Sequence, residues 1–184
     1  MHIPPYNNKN EPIINIDNHK VPLVYFNIIK LKKNEIYNSE VIGYETCFVP
    51  VTGSFQISVG NLNLENIGNR NKNVWDGEPE GVYIPVNEVA EIKCLSEDAE
   101  GFIAGAKFDQ KLKPFYIGNN DIDIVQYGSD DTKTHRKIKH ILGQKQADKV
   151  GRLLVSELYT VGQGGWSGFP PVSYTHLRAH ETSQ

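Results

Sequence analysis

Cysteine is almost missing from this chain: Cys47 and Cys94 are the only two among 184 residues. Two thiols cannot build a disulfide framework, and their spacing fits no zinc pattern. Both sit in apolar runs, so they read as buried thiols in a reducing, cytoplasmic setting. A basic excess is also lacking. Lys and Arg number 19 against 22 Asp and Glu, for a formal net charge of −3. Proteins that grip nucleic acid need surplus cations to neutralise phosphates, so that class is excluded. No apolar stretch approaches the ~20 residues a bilayer crossing takes, and Met1 to Asn10 holds no run suited to a signal peptide. Neither nucleic acid nor membrane is an expected partner. What remains is a globular composition, with 39% hydrophobic and 22% charged residues.

Long helical periodicity is absent too, at least before Asp121. Short apolar runs separated by turn residues take its place. Val21 to Leu31 reads as a strand that ends in the polar turn Lys32-Lys33-Asn34-Glu35. Tyr44 to Val51 reads as another, with Thr52-Gly53 turning the chain into Phe55 to Val59. There Phe55, Ile57 and Val59 alternate with Ser54, Gln56 and Ser58, which puts three apolar side chains on one face of a half-buried strand. Gly60-Asn61 is a hairpin signal, and Leu62 and Leu64 open the return strand. Val82 to Ile84 stops at Pro85. Val89 to Leu95 and Phe102 to Phe108 follow, split by Ser96-Glu97-Asp98. Residues 1–120 thus make one all-β domain, an antiparallel sandwich or barrel.

Residues 121–150 read as a connecting segment. Ile124 and Val125 suit an edge strand, Gly128 to Asp131 a loop, and Gln144 to Lys149 a short helix or loop. Lys133, His135, Arg136, Lys137, Lys139 and His140 form the one basic cluster, read primarily as a solvated linker face. Strand character resumes from Leu153 to Tyr159. Gly162 to Gly165 then forms a turn into Trp166-Ser167-Gly168-Phe169-Pro170-Pro171. Ser167 misses the nucleophile-elbow pattern, because Phe169 stands where that motif needs glycine. Arg70, in Gly68-Asn69-Arg70, reads as a loop brace hydrogen-bonded to backbone carbonyls.

Three stretches, in order, resemble the family of 5-deoxy-glucuronate isomerases. The first is Gly68-Asn69-Arg70 with Val74-Trp75-Asp76-Gly77 and Tyr83-Ile84-Pro85. The second is Arg136 to Leu142, similar to the family's arginine-led strand between two barrels. The third is Arg152 to Thr160 continuing to Gly165 through Pro171, similar to the entry into the family's catalytic barrel. The resemblance implies an all-β, cupin-like antiparallel β-barrel of jelly-roll type. One barrel would be complete, and residues 151–171 would form the first hairpin of a truncated second. It implies an intramolecular aldose–ketose isomerase of inositol catabolism, converting 5-deoxy-D-glucuronate to 2-deoxy-5-keto-D-gluconate. A non-catalytic sugar-acid-binding or structural cupin module, and the related 4-deoxy-5-keto-uronate isomerase, are the alternatives.

The family reaction implies a divalent metal in the complete enzyme, polarising the carbonyl while a base moves the proton. Its first two histidine positions fall on Val172 and Tyr174, neither of which ligates as imidazole does. No metal ligand and no catalytic residue is therefore assigned to this chain, and the fragment is expected to be inactive. Residues 172–184 read as a non-family tail and a candidate sequence artefact. Within it His176, His180 and Glu181 have helical spacing, a secondary metal-site candidate that lacks a third firm ligand. Arg136, whose fork suits a carboxylate, and Trp166 are the substrate-binding candidates for a small sugar acid. Homo-oligomers are compatible with this picture. Leu153, Leu154, Val155, Leu158, Trp166 and Phe169 would lack partner strands, so association or docking on the first barrel is expected.

Overall fold

The computed structural model describes residues 6–166. In chain order the strands are β1 (Val24–Lys32), β2 (Ile36–Ser39), β3 (Tyr44–Val59), β4 (Leu62–Arg70), β5 (Gly81–Ile84) and β6 (Ala90–Cys94). They continue with β7 (Asp98–Lys107), β8 (Phe115–Ile117), β9 (Asp123–Tyr127), β10 (Arg136–Leu142) and β11 (Val155–Thr160). Helix among the described residues is confined to single 3₁₀ turns at Asn119–Asp121 and Gln144–Gln146. The all-β expectation holds, and the pairing in the barrel portion is antiparallel throughout.

The run expected to break at Thr52-Gly53 does not break. Tyr44 to Val59 is one strand that serves two sheets. Its first part lies between β7 and β5, and its second part between β6 and β4. Gly53 sits where the strand changes sheets, with φ +77°, and a Cβ there would press on the Asp98 carbonyl at 2.6 Å. A glycine in an apolar strand can therefore mark a bend between sheets as readily as a turn. The hairpin at Gly60-Asn61 forms as read, joining β3 to β4 with Gly60 at φ +56°.

Two compact units divide the chain: residues to Asp123 together with Lys139–Glu157, and Ile124–Ile138 together with the described residues from Leu158 on. In the first unit one apolar cluster fills the space between the sheets, built on Ile29, Phe48, Phe55, Ile57, Ile92 and Ile103. A second cluster covers the outer face of the sheet that carries the first half of β3. There Cys47, Val49 and Tyr83 meet Ile141, Leu142 and Leu153. Because both faces are covered, Tyr44 through Val51 and all of β5 are buried, and the run loses the alternation of a one-sided strand. The second unit contains most of β9, the start of β10 and the end of β11. The three-stranded order is β11-β10-β9. The return arm of the hairpin expected over residues 151–171 lies outside the described residues.

Candidate functional site

The motif residues legible in the sequence form an interlocked brace. Arg70, at the end of β4, is 2% exposed and grips the Glu157 carboxylate with both terminal nitrogens at 2.7 Å. Its Nε donates to the Gly77 carbonyl at 3.1 Å. The carbonyl brace foreseen for Arg70 is thus present, but its stronger partner is a carboxylate 87 residues away. Asp76 orders the same loop by accepting the main-chain N–H of Lys72 at 2.6 Å and of Asn73 at 3.3 Å. A Cβ at Gly77 would press on the end of the Asn69 side chain, which would have to turn aside. Trp75, at the loop tip, is 67% exposed.

Glu78 and Glu80 continue the brace. Glu78 pairs with Lys139 Nζ at 2.5 Å. Glu80 accepts the Gly68 N–H at 2.5 Å and the Tyr116 hydroxyl at 2.7 Å. Burial, reinforced by the Glu80 carboxylate, raises the Tyr116 phenol well above its ordinary value. The basic cluster is therefore not wholly a solvated face. Lys139 is buried because β10 turns Lys139 and Ile141 inward, and its charge is met by Glu78.

A carboxylate that sequence reading passed over forms the second anchor. Glu45 is fully buried within an apolar run of β3. Its Oε2 accepts the Tyr83 hydroxyl at 2.7 Å and the Gly151 N–H at 2.8 Å. Its Oε1 accepts the N–H groups of Arg152 at 2.5 Å and Leu153 at 2.8 Å. Four donors thus compensate the desolvation of the ion. Burial first, then the Glu45 carboxylate, pushes the Tyr83 phenol up. Burial likewise pushes the Cys47 thiol up to about 12. Both cysteines are free and buried, as their apolar surroundings suggested.

Leu153 docks into the outer-face cluster of the first unit, while Leu154 and Leu158 are exposed. Of the substrate-binding candidates, Arg136 is half-buried at the head of β10. Trp166 is 58% exposed, and its N–H donates to the Lys133 carbonyl at 2.7 Å. That bond brings the main chain of Trp166 to within three residues of Arg136 along the sequence. His135 lies between Asp130 at 2.7 Å and Gln126 at 2.9 Å, and His140 meets Ser156 Oγ at 2.7 Å. Among the described residues no three His, Cys, Asp or Glu side chains are grouped to hold a metal, so these residues do not fit a divalent cation. Val172, Tyr174, His176, His180 and Glu181 lie outside the described residues. No described helix is long and apolar enough to cross a membrane.

Comparison with known proteins agrees with this framework. A 5-deoxy-glucuronate isomerase from Listeria monocytogenes (strain EGD-e) is 29% identical over 164 residues, covering 89% of this chain and 58% of its own length. The 5-deoxy-glucuronate isomerase of Bacillus subtilis (strain 168) is 30% identical over 159 residues, covering 86% of this chain and 56% of its own. The chain therefore spans somewhat over half the length of the curated relatives it matches. The crystal structure of an IolB-like protein from Salmonella typhimurium LT2 superposes with a TM-score of 0.71 at 22% identity, covering 82% of this chain and 55% of that one. That likeness establishes the cupin-like β fold. The model of the KduI/IolB family matches residues 2–183, and this chain belongs to that family.

Proposed function

We propose that the protein to which this chain corresponds is an intramolecular isomerase that converts 5-deoxy-glucuronate to 2-deoxy-5-keto-gluconate. The carrying observation is the family match from residue 2 to residue 183, together with relatives at about 30% identity named for that activity. The reaction moves a carbonyl by one carbon, so a proton must pass between neighbouring carbons while the oxygen is polarised. In the complete enzyme a divalent metal would supply the polarisation as a Lewis acid. The described residues contribute support. Glu45 holds the main chain of residues 151–153, and Arg70 holds Glu157, so two ionic anchors fix the segment leading into β11. A sugar acid as small-molecule partner and a cytoplasmic setting follow from the same reading.

The test uses this chain and the same chain extended with the remaining length of a close relative. Each is supplied with 5-deoxy-glucuronate and the ketose is followed by proton NMR. The extended protein is expected to turn over, to lose activity with a chelator, and to regain it with a divalent cation. The chain alone is expected to be silent. Conversion of 4-deoxy-5-keto-uronate without conversion of 5-deoxy-glucuronate would overturn the substrate assignment.

A further inference from the structure

We propose that the outer face of β1 and β7, in the first unit, packs against the same face of a second copy of this chain, about a twofold axis that runs along the strands.

The strand pattern marks this face before any partner is considered. In β1 Tyr25, Ile29 and Leu31 point into the cluster between the sheets, and in β7 Ala99 and Ile103 do the same. Alternation therefore puts Val24, Phe26 and Ile28 on the outer side of β1, and Phe102, Ala104 and Ala106 on the outer side of β7. All six are apolar. An antiparallel sheet with one face in water carries polar residues there, so apolar residues on both faces mark a sheet covered on both sides. Here the cover is incomplete. Across β3 and β5 the face is closed by Ile141, Leu142 and Leu153, and Ala106 meets that cluster at its margin. Across β1 and β7 the six side chains keep partial access to solvent, Val24 most of all at 43%. The edge of β1 beside them is taken at Phe26, which exchanges main-chain hydrogen bonds with Ile14 at 3.0 Å each way. A partner must come to the face.

The register decides which partner fits. Val24 stands opposite Ala106, Phe26 opposite Ala104, Ile28 opposite Phe102 and Lys30 opposite Glu100. The first two pairs set a large side chain of β1 beside a small one of β7. A twofold axis along the strands lays β1 of one copy over β7 of the other at the same level. Phe26 then falls over Ala104 of the second copy, and Val24 over its Ala106. Bulk meets hollow, as facing sheets about 10 Å apart require. The same axis brings Lys30 over Glu100 of the second copy. Within one chain these two are bridged at 3.2 Å and stay partly exposed, so two lysines and two glutamates would close one end of the patch. An unrelated partner would have to match both the size steps and the charge order, whereas a second copy carries both already. The inference concerns residues 24–32 and 98–107 and is independent of the isomerase reading.

The full chain is followed by sedimentation equilibrium over a concentration series. A reversible dimer with a micromolar dissociation constant is expected, as suits a small interface. Ala104→Glu sets a carboxylate under Phe26 of the second copy and is expected to raise that constant by about tenfold or more. Ala104 points outwards, so the variant should keep its melting temperature, which is checked first. Leu154→Glu charges another exposed apolar site and should leave the dimer intact. In a mixture of labelled and unlabelled native chains, isotope-filtered NOEs should join the Phe26 ring of one copy to the Ala104 methyl of the other. That readout stands even if Ala104→Glu folds poorly. A chain that stays monomeric overturns the proposal, as does a dimer that survives Ala104→Glu. A monomeric chain whose Phe26 and Ala104 become shielded only when it is extended with a relative's remaining length assigns the face to that remainder, and overturns the second copy.

Discussion

Replacing Glu45 by Gln keeps the shape of the side chain and changes only its chemistry. In the native protein both carboxylate oxygens accept, one from Tyr83 and Gly151 and the other from Arg152 and Leu153. An amide leaves one oxygen to accept two donors and turns an NH₂ towards the other two. Two charge-assisted bonds are lost, each contributing about 1.5–3 kcal/mol net, and two donors are left facing a donor. Against this, an amide is cheaper to bury than an ion, which offsets part of the loss. The balance is a destabilisation of about 2–4 kcal/mol, or roughly 5–15 °C in melting temperature for a chain of this size. Urea denaturation measures the first quantity. Amide exchange at Gly151, Arg152 and Leu153 localises it, because those N–H groups should lose protection before the N–H groups of β3. Tyr83→Phe removes one donor of the four and should cost about 1 kcal/mol. Glu45→Gln within about 0.5 kcal/mol of wild type, with protection at residues 151–153 unchanged, would refute the reasoning.

Other outcomes follow from the same geometry. Arg70→Met removes the bidentate guanidinium from the Glu157 carboxylate and is expected to cost about 3–5 kcal/mol, read by urea denaturation. Adding Glu157→Leu should recover part of that, so a double-mutant cycle read by denaturation must show coupling. Cys47, with its thiol at about 12 in the fold against 9.0 as the ordinary value, holds its proton more tightly folded than unfolded. Its contribution is complete below about pH 9 and is lost as the pH rises towards 12. The slope is about 1.4 kcal/mol per pH unit, and Cys47→Ala should remove that share of it. In native protein at pH 8 the same thiol should resist a maleimide that labels it fully in denaturant. Gly81→Ala forces a Cβ to within 2.7 Å of Ile141 Cγ2 and 3.3 Å of Cys47 Sγ. It should destabilise by about 1–3 kcal/mol, as measured by thermal melting.

Local pattern determined a good deal of this protein. The alternation of Phe55, Ile57 and Val59, the hairpin at Gly60-Asn61 and the stops at Pro85 and Ser96 were legible because period and turn chemistry act over neighbouring residues. Motif order was legible too, and it led to the family. Ile36–Ser39 and Phe115–Ile117 were not read as strands, since they are short, mixed in polarity and held by the strands they meet. Thr52-Gly53 looked like a turn because a glycine's positive φ serves a turn and a sheet-switching bend alike. The tertiary structure alone decided that Glu45 and Arg70 are anchors. A lone carboxylate in an apolar run announces nothing when its partners lie 106 to 108 residues away. Lys139 is a similar case, because only the return of β10 over the sheet buries it and brings it to Glu78. The physical reason is common to all three. Periodicity records which face of a strand is apolar, whereas the partner of a buried charge depends on how distant segments pack.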